Sequence, residues 1–292
     1  MSLKMEFVRR AVAPDANISA LCREYGITRQ TGHKWLRRFQ QQGPDGLEES
    51  SRRPQSTPLA TAEDMVVAIV EAREAHPRWG AHKLRLLLVR RYREQTPSER
   101  TIARVLDRFD MVRKRKRMPH VNVVLEAPCV TATAPNDVWT VDFKGWWRAR
   151  NKERCEPLTV RDAFIRKVLA IVVLEGTKGA AVREVFERLF SRYGVPRAIQ
   201  CDNGTPFVCV RARGGLSALS AWWVSLGIEL VRSRAGCPQD NGGHERMHRD
   251  MAADLELAPA ASRREQQLAC DKWRQEFNHV RPHDALGGKT PA

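Results

Sequence analysis

The sequence predicts an α/β domain with a mixed sheet, preceded by an all-α region. Three observations predict it. Apolar residues recur at helical spacing through about the first 110 positions. From about residue 137 they alternate instead, as in a half-buried strand. Beyond that point strand-like runs alternate with amphipathic helical runs, the pattern of a sheet covered by helices.

The elements follow in order. Ile18, Leu21, Cys22 and Tyr25 fall at i, i+3, i+4 and i+7, and Gly26-Ile27-Thr28 breaks that helix. A second helix places Trp35, Leu36 and Phe39 on one face. Two short helices around a Gly-containing turn form a helix-turn-helix pattern. The second helix exposes Arg29, Gln30, His33, Lys34 and Arg37. Arg and Gln are side chains whose bidentate groups match base edges in the major groove. An ordinary helical hairpin with a solvated charged face is the competing reading. A Gly-, Pro- and Ser-rich stretch from Gln41 to Pro58 reads as a linker. Helices are then expected from Thr61 to Glu74 and from Ala81 to Arg91, with Leu84, Leu87 and Leu88 inward. Thr96-Pro97-Ser98-Glu99 reads as a capping box with Pro at the first helical position. The helix it starts would turn Ile102, Val105, Leu106 and Phe109 inward, and Trp79 is expected in the core. This unit fits either a second helix-turn-helix or a small structural bundle. Arg113-Lys114-Arg115-Lys116-Arg117 is a self-repelling basic block suited to a polyanion.

In the α/β part, Trp139, Val141 and Phe143 alternate with Thr140, Asp142 and Lys144. Further strands are expected at Pro157–Val160, Val168–Leu174, Ala198–Cys201 and Glu229–Val231, five in all. Helices are expected at Ala180–Tyr193, Gly215–Leu226, Gly243–Leu255 and Ser262–Phe277.

Composition bounds the function. The 292 residues carry 50 Lys+Arg against 34 Asp+Glu, a net charge of +16. Residues 1–120 hold 25 basic and 14 acidic residues, a net +11; the remainder holds 25 and 20, a net +5. Such a chain is suited to a polyanionic partner, with nucleic acid first. The longest wholly apolar run is Val168–Leu174, too short to span a membrane. Seven cysteines, none in a Cys-x-x-Cys pair, argue against a disulfide framework and for a reducing, cytoplasmic setting.

Three acids stand at informative places. Asp142 lies in a strand opposite the apolar face, Asp202 follows a strand, and Glu245 opens a helix after Pro238-Gln239-Asp240-Asn241-Gly242-Gly243. Taken singly, Asp202 fits a turn and Glu245 a helix N-terminus. Together they are a different matter, because two charges ~4 Å apart repel by about 4 kcal/mol at an effective dielectric near 20. Converging carboxylates therefore need a cation. A hard ion such as Mg²⁺ meets that need, and two ions suit phosphodiester displacement.

The segments Pro135-Asn136-Asp137-Val138-Trp139-Thr140-Val141-Asp142-Phe143-Lys144-Gly145, Cys201-Asp202-Asn203-Gly204 and Pro238 to Arg246 resemble the three motifs of the DDE integrase core found in insertion-sequence transposases. Gly80 with Lys83, and the tail Phe277 to Leu286, also look like family motifs. The resemblance covers nearly the whole chain. It implies a ribonuclease H-like catalytic domain and dependence on Mg²⁺ or Mn²⁺, with two ions. It implies binding of double-stranded DNA at terminal inverted repeats, then strand cleavage and strand transfer. Pairing of two ends implies a dimer or higher oligomer on DNA. By motif, Asp142, Asp202 and Glu245 are the catalytic and metal-holding residues. Asn241 and His244 are auxiliary candidates for positioning DNA or the third acid, with helix capping and solvent exposure as the alternatives. Between Asp202 and Glu245 lie 42 residues, and the extra length around Arg211 to Ser220 is expected to be a surface insertion.

The expected organisation is a helix-turn-helix domain at 1–45, a linker at 46–60, a second helical domain at 61–112, a basic linker at 113–134 and the catalytic core at 135–292. A nuclease that cuts without joining, and an inactive end-binding repressor, are the alternatives to a transposase.

Overall fold

A computed structural model describes residues 2–49, 60–112, 130–209, 211–234 and 237–292. The basic block Arg113 to Arg117 lies outside them. The chain divides into two units, Met1–Ala60 and Thr61–Ala292.

The first unit holds α1 (Leu3–Ala11), α2 (Ile18–Glu24) and α3 (Arg29–Gln42), closed by a 3₁₀ turn at Gly43–Leu47. Asn17 and Thr28 cap α2 and α3, accepting from the Ala20 and Thr31 amides at 3.1 and 3.2 Å. Gly26, at φ +63°, supplies the turn between them. Phe7, Val8, Leu21, Cys22, Leu36 and Leu47 form the core. At Gly32 a side chain is excluded, since a Cβ would meet Cys22 Sγ at 2.6 Å and Phe7 Cζ at 2.9 Å. Two features differ from expectation. Helix α1 precedes the predicted pair, and Leu47, only 7% exposed, packs back where a linker was expected.

The second unit opens with α4 (Glu63–Ala75), α5 (Ala81–Tyr92) and α6 (Glu99–Arg108). Met65, Ile69, Trp79, Leu84, Leu88, Ile102, Val105 and Leu106 pack between them. Ser98 is the N-cap of α6, accepting from the Thr101 amide, so Pro97 stands outside the helix. Phe109 is 49% exposed, not inward: α6 ends at Arg108 and the chain turns through Asp110 at φ +55°.

The sheet consists of β1 (Val138–Phe143), β2 (Trp147–Arg148), β3 (Arg154–Asp162), β4 (Val168–Leu174), then β5 (Ala198–Cys201) after helix α7 (Gly179–Tyr193), and β6 (Glu229–Arg232) after helix α8 (Ala218–Ser225). β3 pairs antiparallel with both β4 and β1, whereas β1–β5 and β5–β6 are parallel, so the sheet is mixed. Among the described residues it has six strands, not five. The two-residue β2 continues the β1 ladder along β3 after a break at Gly145, which has φ +92°. Two residues give no periodicity to read. The extra loop is smaller than expected: Leu219 and Ser220 are buried because α8 has begun by then.

Helices α9 (Gly242–Met251) and α10 (Arg263–His279) complete the fold, with a π-helical turn at Ala252–Glu256 between them. One sheet face packs Trp139, Val141, Leu158 and Val160 with Val182, Phe186, Leu189 and Trp223 of α7 and α8. A second cluster joins Val168 and Ile171 to Met247, Met251, Cys270, Trp273 and Phe277 of α9 and α10. The outer edge of β4 is closed by side chains. Gln267 and Asn278 of α10 each both donate to and accept from its backbone, at 2.7–2.9 Å. The helical bundle is tied to this core by charge. Arg78 reaches Asp250 and Asp254 at 3.2 Å, Arg281 pairs with Asp250, and His76 meets Glu276 at 3.0 Å.

Candidate active site

Strand alternation turns Trp139 and Val141 into the core and leaves Thr140 and Asp142 on the face that meets α9. The register pairs Thr140 with Arg161 and Asp142 with Thr159, so these four share that face. Asp202 leaves the end of β5, the strand parallel to β1, and its Oδ1 accepts from the Gly204 amide at 3.1 Å. Glu245 is exposed in the first turn of α9. The carboxyl of Asp142 is pushed up to about 7, chiefly by burial, then by the neighbouring charges of Asp202 and Glu245. Asp202 and Glu245 thus act on Asp142 as neighbouring charges, while the ligand atoms grouped within 4.8 Å of one another are those of Asp142, His244 and His248.

Asn241 donates from Nδ2 to Asp142 Oδ2 at 3.0 Å. The loop behind it is held by Gln200, which donates to the Asp240 carbonyl at 2.9 Å, and by Asn203, which donates to the Ser233 carbonyl at 2.7 Å. Asn241 stands at the N-cap of α9 but makes no capping bond, so it orients the acid and does not close the helix. His244 is 1% exposed and not a surface residue. Its Nε2 meets Thr140 Oγ1 at 2.8 Å and its Nδ1 meets Thr159 Oγ1 at 3.1 Å. Burial first, then His248 and Arg161, hold its pKa well below the ordinary value, so the ring is neutral.

His248 was not foreseen as a site residue. Its pKa is pulled down to about 3 by burial and then by Lys144. Thr159 Oγ1 donates to the Asp142 carbonyl at 2.9 Å and meets His248 Nε2 at 2.8 Å. With that hydroxyl proton spent, the network assigns the ring protons to His244 Nδ1 and His248 Nε2. His248 Nδ1 then keeps its lone pair, 3.9 Å from Asp142 Oδ2. Asp142, His244 and His248 offer ligand atoms within 4.8 Å of one another. The signal for His248 is legible in the chain, since His244 and His248 are four residues apart on one helix face.

The integrase core domain family matches residues 132–238 in one part and 226–291 in another. The chain carries an integrase core. Ahead of that core, a helix-turn-helix domain family matches residues 3–55 and a homeodomain-like domain family matches residues 31–106. The mixed sheet with its flanking helices is the ribonuclease H-like fold of integrase cores. The chain is similar to the insertion element IS476 uncharacterized 39.2 kDa protein of Xanthomonas euvesicatoria, at 27% identity over 252 residues, 85% of this chain and 69% of that one. It is also 27% identical over 251 residues to the insertion element IS407 uncharacterized 31.7 kDa protein of Burkholderia multivorans, 85% of this chain and 86% of that one. Among solved structures, the HTLV-2 integrase catalytic core domain in complex with magnesium aligns at 18% identity and TM-score 0.38, covering 54% of this chain and 94% of that one. The BIV integrase catalytic core domain aligns at 22% identity and TM-score 0.39, covering 53% and 91%.

Arg29, Gln30, His33, Lys34 and Arg37 are all exposed along α3 of the helix-turn-helix unit, as expected. Arg113, Lys114, Arg115, Lys116 and Arg117 lie outside the described residues. Among the described residues no helix is long and apolar enough to cross a membrane.

Proposed function

We propose that this integrase-core protein is the transposase of an insertion element, which binds the element's inverted repeats and performs DNA strand cleavage and strand transfer. The observation that carries the reading is the carboxyl of Asp142, raised to about 7 by burial first and then by the neighbouring charges of Asp202 and Glu245. A buried carboxylate in that position fits a hard divalent ion, Mg²⁺ or Mn²⁺, and Asp142, Asp202 and Glu245 would hold one or two such ions. When bound, the ions activate the attacking oxygen and stabilise the leaving one.

The chain's own residues do the rest. Asn241 orients Asp142, and Thr159 holds the Asp142 backbone while linking it to two neutral imidazoles. Neutral rings leave the negative charge of the acids unspent. The exposed face of α3 with Arg29, Gln30, His33, Lys34 and Arg37, and the basic residues Arg113 to Arg117, supply base and phosphate contacts to duplex DNA. Two ends held together require at least a dimer.

The test is purified protein with Mg²⁺ and labelled element-end duplexes. Cleavage followed by joining is expected. Cleavage alone would make the protein a nuclease, and binding alone an end-binding repressor. Asp142→Asn, Asp202→Asn and Glu245→Gln should each abolish chemistry while DNA affinity persists. Any one that still cuts removes its residue from the set.

A further inference from the structure

Arg161 has a role that the acids do not explain. It lies on β3, on the face that carries Thr140 and Asp142, and is 7% exposed. Its Nε has no hydrogen-bond partner, and no carboxylate pairs with its guanidinium among the described residues. The adjacent Asp162 is committed elsewhere, accepting from the amides of Asn136, Phe164 and Ile165 at 2.7–3.0 Å. Arg161 reaches instead to the first turn of α9. A Cβ at Gly243 would overlap its Nη1 and stand 3.0 Å from its Cζ, so glycine is what admits the guanidinium there.

That turn takes no hydrogen bond from a capping side chain and follows directly on the 3₁₀ turn Pro238–Asn241. A helix N-terminus carries unsatisfied amides and a partial positive charge. Asn241, the residue placed to cap it, spends its side chain on Asp142. A buried cation against the positive end of a ten-residue helix is a poor pairing unless an anion completes it. A Cβ at Gly242 would meet nothing within 4 Å and Gly243 is exposed, so solvent reaches this turn. A guanidinium fork beside helix-N-terminal amides is suited to a phosphate oxyanion.

We propose that Arg161 and the first-turn amides of α9 form an oxyanion subsite that grips a phosphodiester of the DNA strand lying at Asp142. The choice of DNA as ligand rests on the transposase reading; the oxyanion chemistry does not. Thr159, opposite Asp142, and Arg161, opposite Thr140, stand two positions apart on β3, about 7 Å along the strand. The subsite would therefore hold a phosphate near the one being cut and fix the register of the strand over the acids.

Two variants of the full chain test this. Arg161→Met removes the charge and keeps the bulk. Gly243→Ala keeps the charge and pushes the guanidinium out of the turn. In EDTA, where no cutting occurs, the affinity for an element-end duplex is measured by fluorescence anisotropy across KCl concentrations. Each variant should bind about tenfold more weakly, with a log–log salt slope shallower by about 0.9. In parallel, the melting temperature is followed against inorganic phosphate with chloride as the ionic-strength control. Wild type should rise with phosphate and both variants should lag. Wild-type salt slopes and phosphate responses in both variants would overturn the subsite. A wild-type chain that binds no DNA defeats the transposase reading, and the phosphate arm then decides the subsite alone. Should Arg161→Met not fold, Gly243→Ala carries both measurements.

Discussion

Replacing Asp142 by Asn should stabilise the metal-free protein, and the gain should depend on pH. The carboxyl is raised from 3.8 to about 7 because it is buried beside two other acids. A raised carboxyl means that the folded state binds the proton more tightly than the unfolded chain. Its favourable contribution is present in full below pH 3.8 and is lost as pH rises through about 7. At 1.36 kcal/mol per pH unit, and with a fifth of the side chain still in water, the loss comes to about 3–4 kcal/mol. Asn cannot ionise, so the variant escapes it. The stability difference between variant and wild type should be near zero at pH 4 and about 3–4 kcal/mol at pH 8.5. Over a unit of this size that is about a 10 °C higher melting temperature. The assay is urea and thermal denaturation of both proteins in EDTA at the two pH values. Titrating groups that do not interact with Asp142 cancel in the difference. Adding Mn²⁺ at pH 8.5 should then raise wild type and leave the variant unmoved, because only wild type keeps its ligand set. A difference that is the same at pH 4 and pH 8.5 would falsify the raised carboxyl of Asp142.

Two further outcomes concern the scaffold. Gly32→Ala should lose about 1–3 kcal/mol by overpacking, despite the better helix propensity of Ala, because the new methyl meets Cys22 and Phe7; hydrogen exchange across residues 2–49 should accelerate, and unchanged protection would refute the close packing. Asp250→Ala should cost about 3 kcal/mol, since it leaves the half-buried Arg281 and its neighbour Arg78 without their shared carboxylate; denaturation measures it, and Asp250→Asn, which keeps an acceptor, should lose less.

Legibility followed the physics of each element. β4 and β5 are readable residue for residue, because Val168–Leu174 is a wholly apolar run and Ala198–Cys201 a mostly apolar one. β3 begins earlier than its apolar stretch suggests, since Arg154 and Glu156 neutralise each other at 2.6 Å and so tolerate a strand. Helix α1 carries no legible apolar stripe, because its buried Phe7, Val8 and Ala11 sit among four charged residues. In the site, the three acids were legible as motifs in order. The bond from Asn241 to Asp142 was not, because it joins residues 99 apart through a loop whose path no local pattern encodes. Arg161 left a weaker trace: the alternation Thr159, Val160, Arg161 puts it on the polar face, but only packing shows that no partner meets it.

The tether at Asp250 has a consequence for how such a chain could be recombined. Modular exchange of DNA-binding segments is natural at Ala60, where the two units part. At residue 112 it is not. A chain that traded residues 61–112 for an unrelated segment would strand Asp254 without Arg78 and Glu276 without His76, and would leave Asp250 to Arg281 alone. The bundle is thus inherited with the core: Asp250 stands on the same helix as Glu245, about 7.5 Å further along its axis.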